Sequence, residues 1–341
     1  MTAEAVYRAV LALALSLVLV PAVLPLLRRY GVVDIPCARS SHTVTVPRGA
    51  GLAVMLAVIV AALVPYPGTA PLSGSHDRAV LTVVLGTAAL YGLLGFADDL
   101  RGLDPGGRLL AQVVFGVVLA WPLVTLLHRG WEWIPLGTVA ATSYVNVTNF
   151  MDGINGMTGW YGVVAGSAFA GMGAYEDKGW MVALGACLAG ACLGFLPFNA
   201  VRAKVFLGDV GSYGLGALVA ALSGGGFLAG LPTEACLGPL ALYLADTGST
   251  LVRRLGRGEN WREPHRHHTY QRLTDRGFSH VRVALLVAGL TVVTSALGAV
   301  SLTGDRTLRI LADVVVLVVV GAYLALPTVL AARDRARTAE G

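Results

Sequence analysis

Apolar residues run through the chain in long blocks separated by short polar connections. A helix needs about 20 mostly apolar residues to cross the hydrocarbon core of a bilayer. Two of the blocks, 50–65 and 135–148, are shorter than that. The pattern predicts an all-α polytopic membrane protein with about eleven transmembrane helices. The predicted spans are 5–27, 50–65, 79–97, 108–127, 135–148, 157–175, 180–196, 212–229, 234–252, 281–302 and 309–331.

Basic residues are divided unequally between the two ends of such a bundle. Alternate connections, beginning with the first one, carry 19 of the 25 lysines and arginines. Because basic residues collect in cytoplasmic loops, we expect these connections and the C-terminus inside the cell and the N-terminus outside. We find no internal repeat and no soluble domain, so residues 1–341 are predicted to form one domain in the cell membrane. Its cytoplasmic loops are expected near 28–49, 97–107, 149–156, 197–211 and 253–280.

Composition agrees with this interpretation. Charged residues make up 13% of the chain and hydrophobic residues 55%, and the mean hydropathy is +0.69. A soluble domain carries about 25% charged residues, so a soluble enzyme, a disordered protein and a nucleic-acid-binding domain are excluded. The formal charge of +5 fits basic cytoplasmic loops. The four cysteines form no CxxC pair and are expected to be buried apolar residues.

Two groups of carboxylates lie at the predicted cytoplasmic ends of spans. Asp98 and Asp99 end the third span, and Asp209 lies between glycines just ahead of the eighth. Adjacent carboxylates repel each other unless a cation is near, and Mg²⁺ takes carboxylate oxygens while leaving room for substrate phosphates. The alternatives are a solvated helix end for Asp98 and Asp99, and a helix cap for Asp209.

A run of amides and one carboxylate precedes the sixth span. Asn149, Asp152 and Asn155 belong to the segment NVTNFMDGINGM. Small residues allow close approach of a ligand to the backbone, and the N-terminus of the next helix offers free N–H groups to an anion. An ordinary polar turn between two spans is the alternative.

Histidines and arginines are concentrated between 253 and 273. His265, Arg266, His267 and His268 stand in a row there. Arginine binds phosphate oxygens through two N–H groups, and imidazole adds donors near neutral pH. A zinc site and a basic anchor for anionic lipid are the alternatives.

Three further polar residues are weaker candidates. His42 and Arg48 lie in the first cytoplasmic loop, where a plain surface histidine is the alternative for His42. Asp246 lies inside the ninth span, and acids within a membrane are usually paired or functional. Arg253 follows it by seven residues on the same helical face, so an intramembrane ion pair is the alternative for Asp246.

Five segments, taken together and in this order, resemble the polyprenyl-phosphate N-acetylhexosamine-1-phosphate transferases of glycosyltransferase family 4. That family includes phospho-MurNAc-pentapeptide transferase and the enzymes that initiate O-antigen synthesis. The likeness runs from about residue 31 to about residue 275, and the forms NFMDGING and HRxHxYQRL are most similar to the O-antigen-initiating branch. The five segments are VDIPCARSSHTVTVPRGAG, GFADDLRGLDPGGRLLAQ, NVTNFMDGINGM, FLGDVGSYGLG and EPHRHHTYQRL.

The resemblance implies a Mg²⁺-dependent transferase, with Mn²⁺ as a substitute for Mg²⁺. It would transfer a HexNAc-1-phosphate from a UDP-N-acetylhexosamine to undecaprenyl or decaprenyl phosphate, release UMP and start a cell-wall or other envelope polysaccharide. Its partners would be these two substrates, membrane lipid and a second copy of the chain, with no nucleic acid. A secondary transporter of an anionic substrate and a non-catalytic scaffold are the rival hypotheses. A transporter would need charged or broken helices near the midplane and often carries a repeat.

The family's motifs also imply a role for each candidate residue. Asp209 would bind the metal with support from Asp99, and Asp98 would deprotonate or position the lipid phosphate. The nucleotide-sugar side would be held by Asn149, Asp152, Asn155, His265, Arg266, His267 and His268. Two positions depart from the family. Asn155 stands where many members carry an aspartate, and His267 stands where near relatives often have a small polar residue.

Overall fold

The chain folds into a bundle of α-helices. The computed structural model describes residues 2–36, 44–67, 75–259 and 266–340. Short 3₁₀ turns follow α9 and α12, at Gly238–Leu240 and Val300–Thr303. The helices are α1 (Thr2–Arg29), α2 (Gly51–Leu63), α3 (Ser75–Arg101), α4 (Pro105–Leu126), α5 (Trp133–Met151), α6 (Met157–Tyr175), α7 (Gly179–Asn199), α8 (Gly208–Leu228), α9 (Thr233–Leu237), α10 (Ala241–Gly256), α11 (Thr269–Thr274), α12 (His280–Ala299) and α13 (Arg306–Glu340).

Each of the eleven apolar segments predicted from the sequence is helical, with α9 and α10 sharing the ninth. Among the described residues, eight helical segments are long and apolar enough to cross a membrane by length and composition. The segments outside that group are α2, α5 and α6, of which α2 has only 13 residues. The all-α polytopic membrane architecture is confirmed, and the count of eleven spans stays a prediction.

The bundle is organised around α7 and α8. In these helices 78% and 83% of the most apolar stretch is buried, compared with 22% in α1 and 11% in α13. The centre therefore packs α7 against α1 and α6, and α8 against α3 and α5. Both central helices are rich in glycine and alanine, which suits the close helix contacts typical of membrane bundles. Cys187, Cys192 and Cys236 are buried as predicted, and Cys37 lies outside the described residues.

A short ribbon, which the sequence did not predict, joins the connection between α1 and α2 to the start of α8. Strands β1 (Val33–Asp34) and β2 (Val46–Pro47) pair antiparallel. Just after β2, the N–H groups of Gly49 and Ala50 both donate to the carbonyl oxygen of Phe206 at 3.1 Å. The ribbon thereby fixes residues 46–50 beside the N-terminus of α8.

A buried arginine of α1 caps the C-terminal end of α2. Arg8 of α1 is 2% exposed. Its Nη1 donates to the carbonyl oxygens of Ala61, Ala62 and Val64 at 3.0, 2.8 and 3.3 Å, and Glu4 lies 2.8 Å from its Nη2. The last carbonyl groups of a helix have no partner within the helix, so Arg8 supplies the donors that α2 lacks. The guanidinium charge is balanced by Glu4 one turn away.

Candidate active site

Asp98 and Asp99 occupy the last turn of α3 and point into the protein. Their exposed fractions are 4% and 8%. The alternative of a solvated helix end is therefore wrong for both residues. Burying two adjacent carboxylates is costly unless each is paired and hydrogen-bonded, and the structure supplies such partners to both.

Asp99 caps a helix to which it does not belong. The backbone N–H groups of Asp209 and Val210, in the first turn of α8, donate to Oδ1 and Oδ2 of Asp99 at 3.1 Å each. Arg48 adds an ion pair, with its Nε 3.1 Å from Oδ1. Because a carboxylate at a helix N-terminus satisfies orphan amides and the helix dipole, Asp99 fixes the start of α8 against the end of α3.

This contact depends on a glycine one turn before the carboxylates. A methyl group at Gly95 would overlap the backbone carbonyl of Asp209. The backbones of α3 and α8 touch at this point, and only a residue without a side chain leaves room for the approach.

Asp98 is held by a different set of donors. Arg108, in the first turn of α4, places Nη1 2.7 Å from Oδ2 of Asp98. The hydroxyl of Tyr213 donates to the same oxygen at 3.0 Å, and the backbone N–H of Leu103 donates to Oδ1 at 2.9 Å. Asp98 therefore fixes the direction of the Arg108 guanidinium, whose side chain is 29% exposed.

Asp209 is the carboxylate that keeps an open oxygen. Its Oδ1 accepts a hydrogen bond from Nδ2 of Asn149 at 2.7 Å, and the same Nδ2 lies 3.0 Å from Oγ of Ser212. Within the described part of the chain, Oδ2 of Asp209 accepts no hydrogen bond, and it is not among the buried unpartnered atoms. The alternative that Asp209 caps α8 is wrong. Leu207 holds the N-cap position, no side chain caps the helix from there, and Asp209 lies within the first turn.

The donor set fits a hard divalent cation better than zinc. Among the described residues no three His, Cys, Asp or Glu side chains converge as a metal cluster. Mg²⁺ is commonly bound by one or two carboxylates together with substrate phosphates and water, and the open oxygen of Asp209 suits that use. Both oxygens of Asp99 already accept α8 amides. The assignment of Asp99 as a metal ligand stays a prediction.

The loop between α5 and α6 lies next to the carboxylates. Burial raises the pKa of Asp152 to about 7, and the negative charges of Asp209 and Asp99 act in the same direction. The backbone N–H of Asn155 donates to Nδ1 of His280 at 3.4 Å. The turn thus brings Asn149 and Asp152 close to Asp209, as expected for a composite site.

The histidine segment is anchored by Asp246. Its Oδ1 accepts the backbone N–H of Thr269 at 2.8 Å and lies 3.3 Å from Nδ1 of His268, while Oδ2 accepts the hydroxyl of Tyr323 at 2.7 Å. The alternative of an ion pair with Arg253 is wrong, because Arg253 donates to Thr250 Oγ1 and the carbonyl oxygen of His267 instead. Asp246 therefore holds the start of α11 to α10 and α13.

The remaining members of the histidine segment face in different directions. His268 is 3% exposed, whereas the His267 side chain is 46% exposed and lies 3.6 Å from Glu259. Arg266 donates to Oδ1 of Asp275 at 2.9 Å. His265 and His42 lie outside the described residues.

Tyr270 joins this segment to the loop that carries Asp152. Its hydroxyl donates to the carbonyl oxygen of Phe150 at 2.9 Å. A methyl group at Gly153 would overlap that hydroxyl. The glycine in MDGIN is thus explained by the close approach of Tyr270, which links the histidine segment to the site.

Three residues that contribute to the site are not among the candidates taken from the sequence. Tyr213 follows Asp209 by four residues on one face of α8, and that spacing could have indicated it. Arg108 follows Asp98 by ten residues and lies on the next helix. Because the chain turns between α3 and α4, the spacing in the sequence does not indicate that the two side chains pair. Asn199, whose Oδ1 accepts the N–H of Gly156 at 2.6 Å, carried no signal in the sequence.

Comparison with known proteins identifies the family. Residues 81–225 match the model of Glycosyl transferase family 4. The chain is 31% identical to the decaprenyl-phosphate N-acetylglucosaminephosphotransferase of Mycolicibacterium smegmatis over 310 residues, which cover 80% of this chain and 76% of that protein. The chain belongs to glycosyl transferase family 4. The resemblance drawn from the five sequence segments is confirmed.

Two other relatives widen the comparison. A probable undecaprenyl-phosphate N-acetylglucosaminyl 1-phosphate transferase of Bacillus subtilis is 27% identical over 83% of this chain and 82% of its own length. A phospho-N-acetylmuramoyl-pentapeptide-transferase of Desulforudis audaxviator is 30% identical over 85% and 95%. The stretch that matches the family runs from α3 to α8. It includes the three carboxylates and the loop between α5 and α6 of this multi-pass membrane enzyme.

Proposed function

We propose that the chain transfers a HexNAc-1-phosphate from a UDP-N-acetylhexosamine to a polyprenyl phosphate. A phosphate oxygen of the lipid forms a bond to the β-phosphorus of the nucleotide sugar. The bond from that phosphorus to the oxygen it shares with the α-phosphate breaks, UMP leaves with that oxygen, and a polyprenyl-diphospho-sugar remains. The family membership supports this reaction, as do relatives named for decaprenyl- or undecaprenyl-phosphate transfer.

The observation that carries the proposal is the grouping of Asp98, Asp99 and Asp209 where the end of α3 meets the start of α8. Two anionic phosphates must approach each other in this reaction, so their repulsion has to be offset. Asp209, with its open oxygen, would hold Mg²⁺. When bound, the ion would neutralise part of the negative charge of the two phosphates.

Two arginines beside the carboxylate cluster are positioned to bind anions there. Asp98 orients Arg108, and Arg48 is paired with Asp99 at the rim of the site. We propose that Arg108 receives the phosphate of the polyprenyl acceptor and that Asp98 acts through it. A carboxylate that already accepts three hydrogen bonds is less available to take up a proton.

The nucleotide-sugar side is proposed to lie between the α5–α6 loop and the histidine segment. Asn149 fixes Asp209, and Asp152 lies beside them in the loop. In the histidine segment, Asp246 holds His268 through Nδ1. The other ring nitrogen of His268, Nε2, is therefore directed away from Asp246. His268 and Arg266 would then contact the diphosphate.

The site is proposed to face the cytoplasm. The ends of α3, α5 and α10 and the starts of α6 and α8 form it, and the connections at those ends carry most of the basic residues. Nucleotide sugars are made in the cytoplasm, so this orientation gives the soluble substrate direct access.

A product assay tests the proposal. Membranes containing the chain are incubated with Mg²⁺, polyprenyl phosphate and a panel of radiolabelled UDP-N-acetylhexosamines. We expect chloroform-soluble label and an equal amount of UMP, no product in EDTA, and recovery when Mg²⁺ is restored. Label trapped inside vesicles without a lipid product would instead indicate a transporter.

A matched pair of variants tests the metal assignment. Asp209→Asn should insert and purify but form no product, because an amide is a much weaker ligand for a hard cation than a carboxylate. Asp177→Asn should retain activity, since Asp177 is exposed on the connection between α6 and α7, at the other end of the bundle. Full activity of Asp209→Asn with Mg²⁺ would exclude the proposed ligand.

A further inference from the structure

A second cluster of basic residues surrounds a cavity outside the carboxylate site. The cavity has a volume of about 310 Å³, or space for roughly ten water molecules. It opens between α10, α11 and α13 and is called the basic pocket below. Its lining consists of Arg253, Arg257, His267, Arg272 and Thr328.

Among the described residues, the hydrogen-bond partners of two of these arginines are neutral oxygens. Nη2 of Arg272 donates to Oγ1 of Thr328 at 3.1 Å. Nη2 of Arg253 donates to Oγ1 of Thr250 and to the carbonyl oxygen of His267 at 3.0 and 3.2 Å. Within the described part of the chain, neither guanidinium forms an ion pair. Their charges therefore remain available to an anion.

The surrounding charges add to this excess. Partial burial lowers the pKa of Arg272, and the positive charges of Arg253, Arg276 and Arg257 lower it further. Glu259 pairs with Arg257 and His267 of the lining, and it is shared by three basic groups: Arg254 at 3.2 Å, Arg257 at 3.7 Å and His267 at 3.6 Å. Such a concentration of guanidinium groups is suited to phosphate oxygens.

The two long helices that contribute to the basic pocket, α10 and α13, also carry exposed apolar side chains. On α10, Leu251, Val252 and Leu255 are 44%, 69% and 55% exposed, and on α13 Val329 is 45% exposed. These side chains belong to helices long and apolar enough to cross a membrane. The basic residues thus lie on or beside helices whose exposed surface is apolar. A phosphate attached to acyl chains matches both features, whereas a free nucleotide would leave the apolar surface of these helices unused.

We infer that the basic pocket binds the phosphate headgroup of an anionic phospholipid, at a site distinct from the Asp98–Asp99–Asp209 cluster. Occupancy would tie α10, α11 and α13 together through one ligand. Arg253 already holds the carbonyl of His267, next to the residue that Asp246 anchors. A bound headgroup therefore steadies the segment that presents His268.

Binding can be measured without any turnover. The purified chain in neutral detergent receives phosphatidylglycerol, phosphatidylcholine, undecaprenyl phosphate or inorganic phosphate, and bound lipid is counted by native mass spectrometry. We expect saturable binding of phosphatidylglycerol and no comparable binding of phosphatidylcholine. Displacement by undecaprenyl phosphate at equal concentration, or saturation by inorganic phosphate alone, would overturn the assignment to a phospholipid.

Paired variants locate the site. The double variant Arg253→Gln and Arg272→Gln should bind phosphatidylglycerol about 30-fold more weakly, from the usual contribution of a basic residue to anionic-lipid binding. The control double variant Arg282→Gln and Arg333→Gln removes two exposed arginines beside the same cytoplasmic loops and should bind as the native chain does. Equal losses in both would mean non-specific attraction and would refute the pocket.

A milder variant guards against misfolding. Arg272→Gln alone keeps Arg253 and its contact with His267, and it should weaken binding about fivefold. Native affinity in this variant would also count against the pocket. Because the readout is lipid binding, a failure here leaves the sugar-phosphate transfer assay unaffected, and the reverse also holds.

Discussion

Replacing Asp99 with asparagine is expected to loosen the start of α8. Both carboxylate oxygens accept α8 amides at 3.1 Å, and Arg48 lies at 3.1 Å from one of them. Asparagine offers one oxygen, so its NH₂ group would face an N–H donor. Losing a buried charge-assisted hydrogen bond costs about 1.5–3 kcal/mol, losing the charge at a helix N-terminus about 0.3–1 kcal/mol, and losing a partly exposed ion pair about 1 kcal/mol or less. We expect a destabilisation of about 2–5 kcal/mol.

Activity should fall with stability, because the same amides position Asp209. Displacing a group that orients a metal ligand typically costs about 10–100-fold, so kcat of Asp99→Asn should fall by that factor. Thermal unfolding can be followed in detergent with a thiol-reactive dye, since Cys187, Cys192 and Cys236 are buried and react on unfolding. We expect the midpoint to fall by about 5 °C or more.

The matched control is a second aspartate that caps a helix. Asp104 accepts the N–H of Gly107 at 2.9 Å at the exposed start of α4. Asparagine caps helices about as well as aspartate in such a position, so Asp104→Asn should change neither the midpoint nor kcat appreciably. The reasoning is refuted if Asp99→Asn keeps both the native midpoint and the native kcat, or if Asp104→Asn loses as much.

Three other predictions follow from the structure. The pKa of Asp152 is about 7 in the folded protein and 3.8 ordinarily, so its protonated form stabilises the fold and this contribution should decline as the pH rises from about 4 to about 7. In Asp152→Asn, the thermal midpoint measured in EDTA should therefore depend less on pH over that range. Gly153→Ala should lower turnover by at least tenfold, measured in the product assay, because the added methyl displaces the Tyr270 hydroxyl. An impermeant thiol reagent added to intact cells should label a cysteine at position 178 and miss one at position 257.

Each of these has its own control. Asp177→Asn should keep the native pH slope, because Asp177 is exposed and its φ of +52° tolerates asparagine; a native slope in the Asp152 variant would contradict the assignment. Gly171→Ala adds a methyl where nothing lies within 4 Å and should remain active. Labelling of position 257 but not 178 would reverse the proposed orientation.

Helices were predictable and their contacts were not. Every apolar block became a helix, since length and hydropathy are local properties of the sequence. The role of Asp99 as the cap of α8 was hidden because its partners are more than 100 residues away. For Asp246 the sequence offered a partner on its own helix only as an alternative, and its actual partners come from α11 and α13. Periodicity shows which residues share one helix face, but it does not show which helix lies opposite.

The buried Arg8 couples the membrane depth of the first helix to the end of the protein that carries the three carboxylates. With 13 residues, α2 is a rod of about 20 Å. One end is bound by Arg8, and at the other the N–H of Gly51 donates to the carbonyl oxygen of Leu207 at 2.8 Å, immediately before α8. A thinner bilayer or a fused tag that slides α1 along its axis would therefore push this rod against the segment that carries Asp209. Activity should then vary with lipid chain length, although Arg8 lies at the opposite end of α2 from the carboxylates.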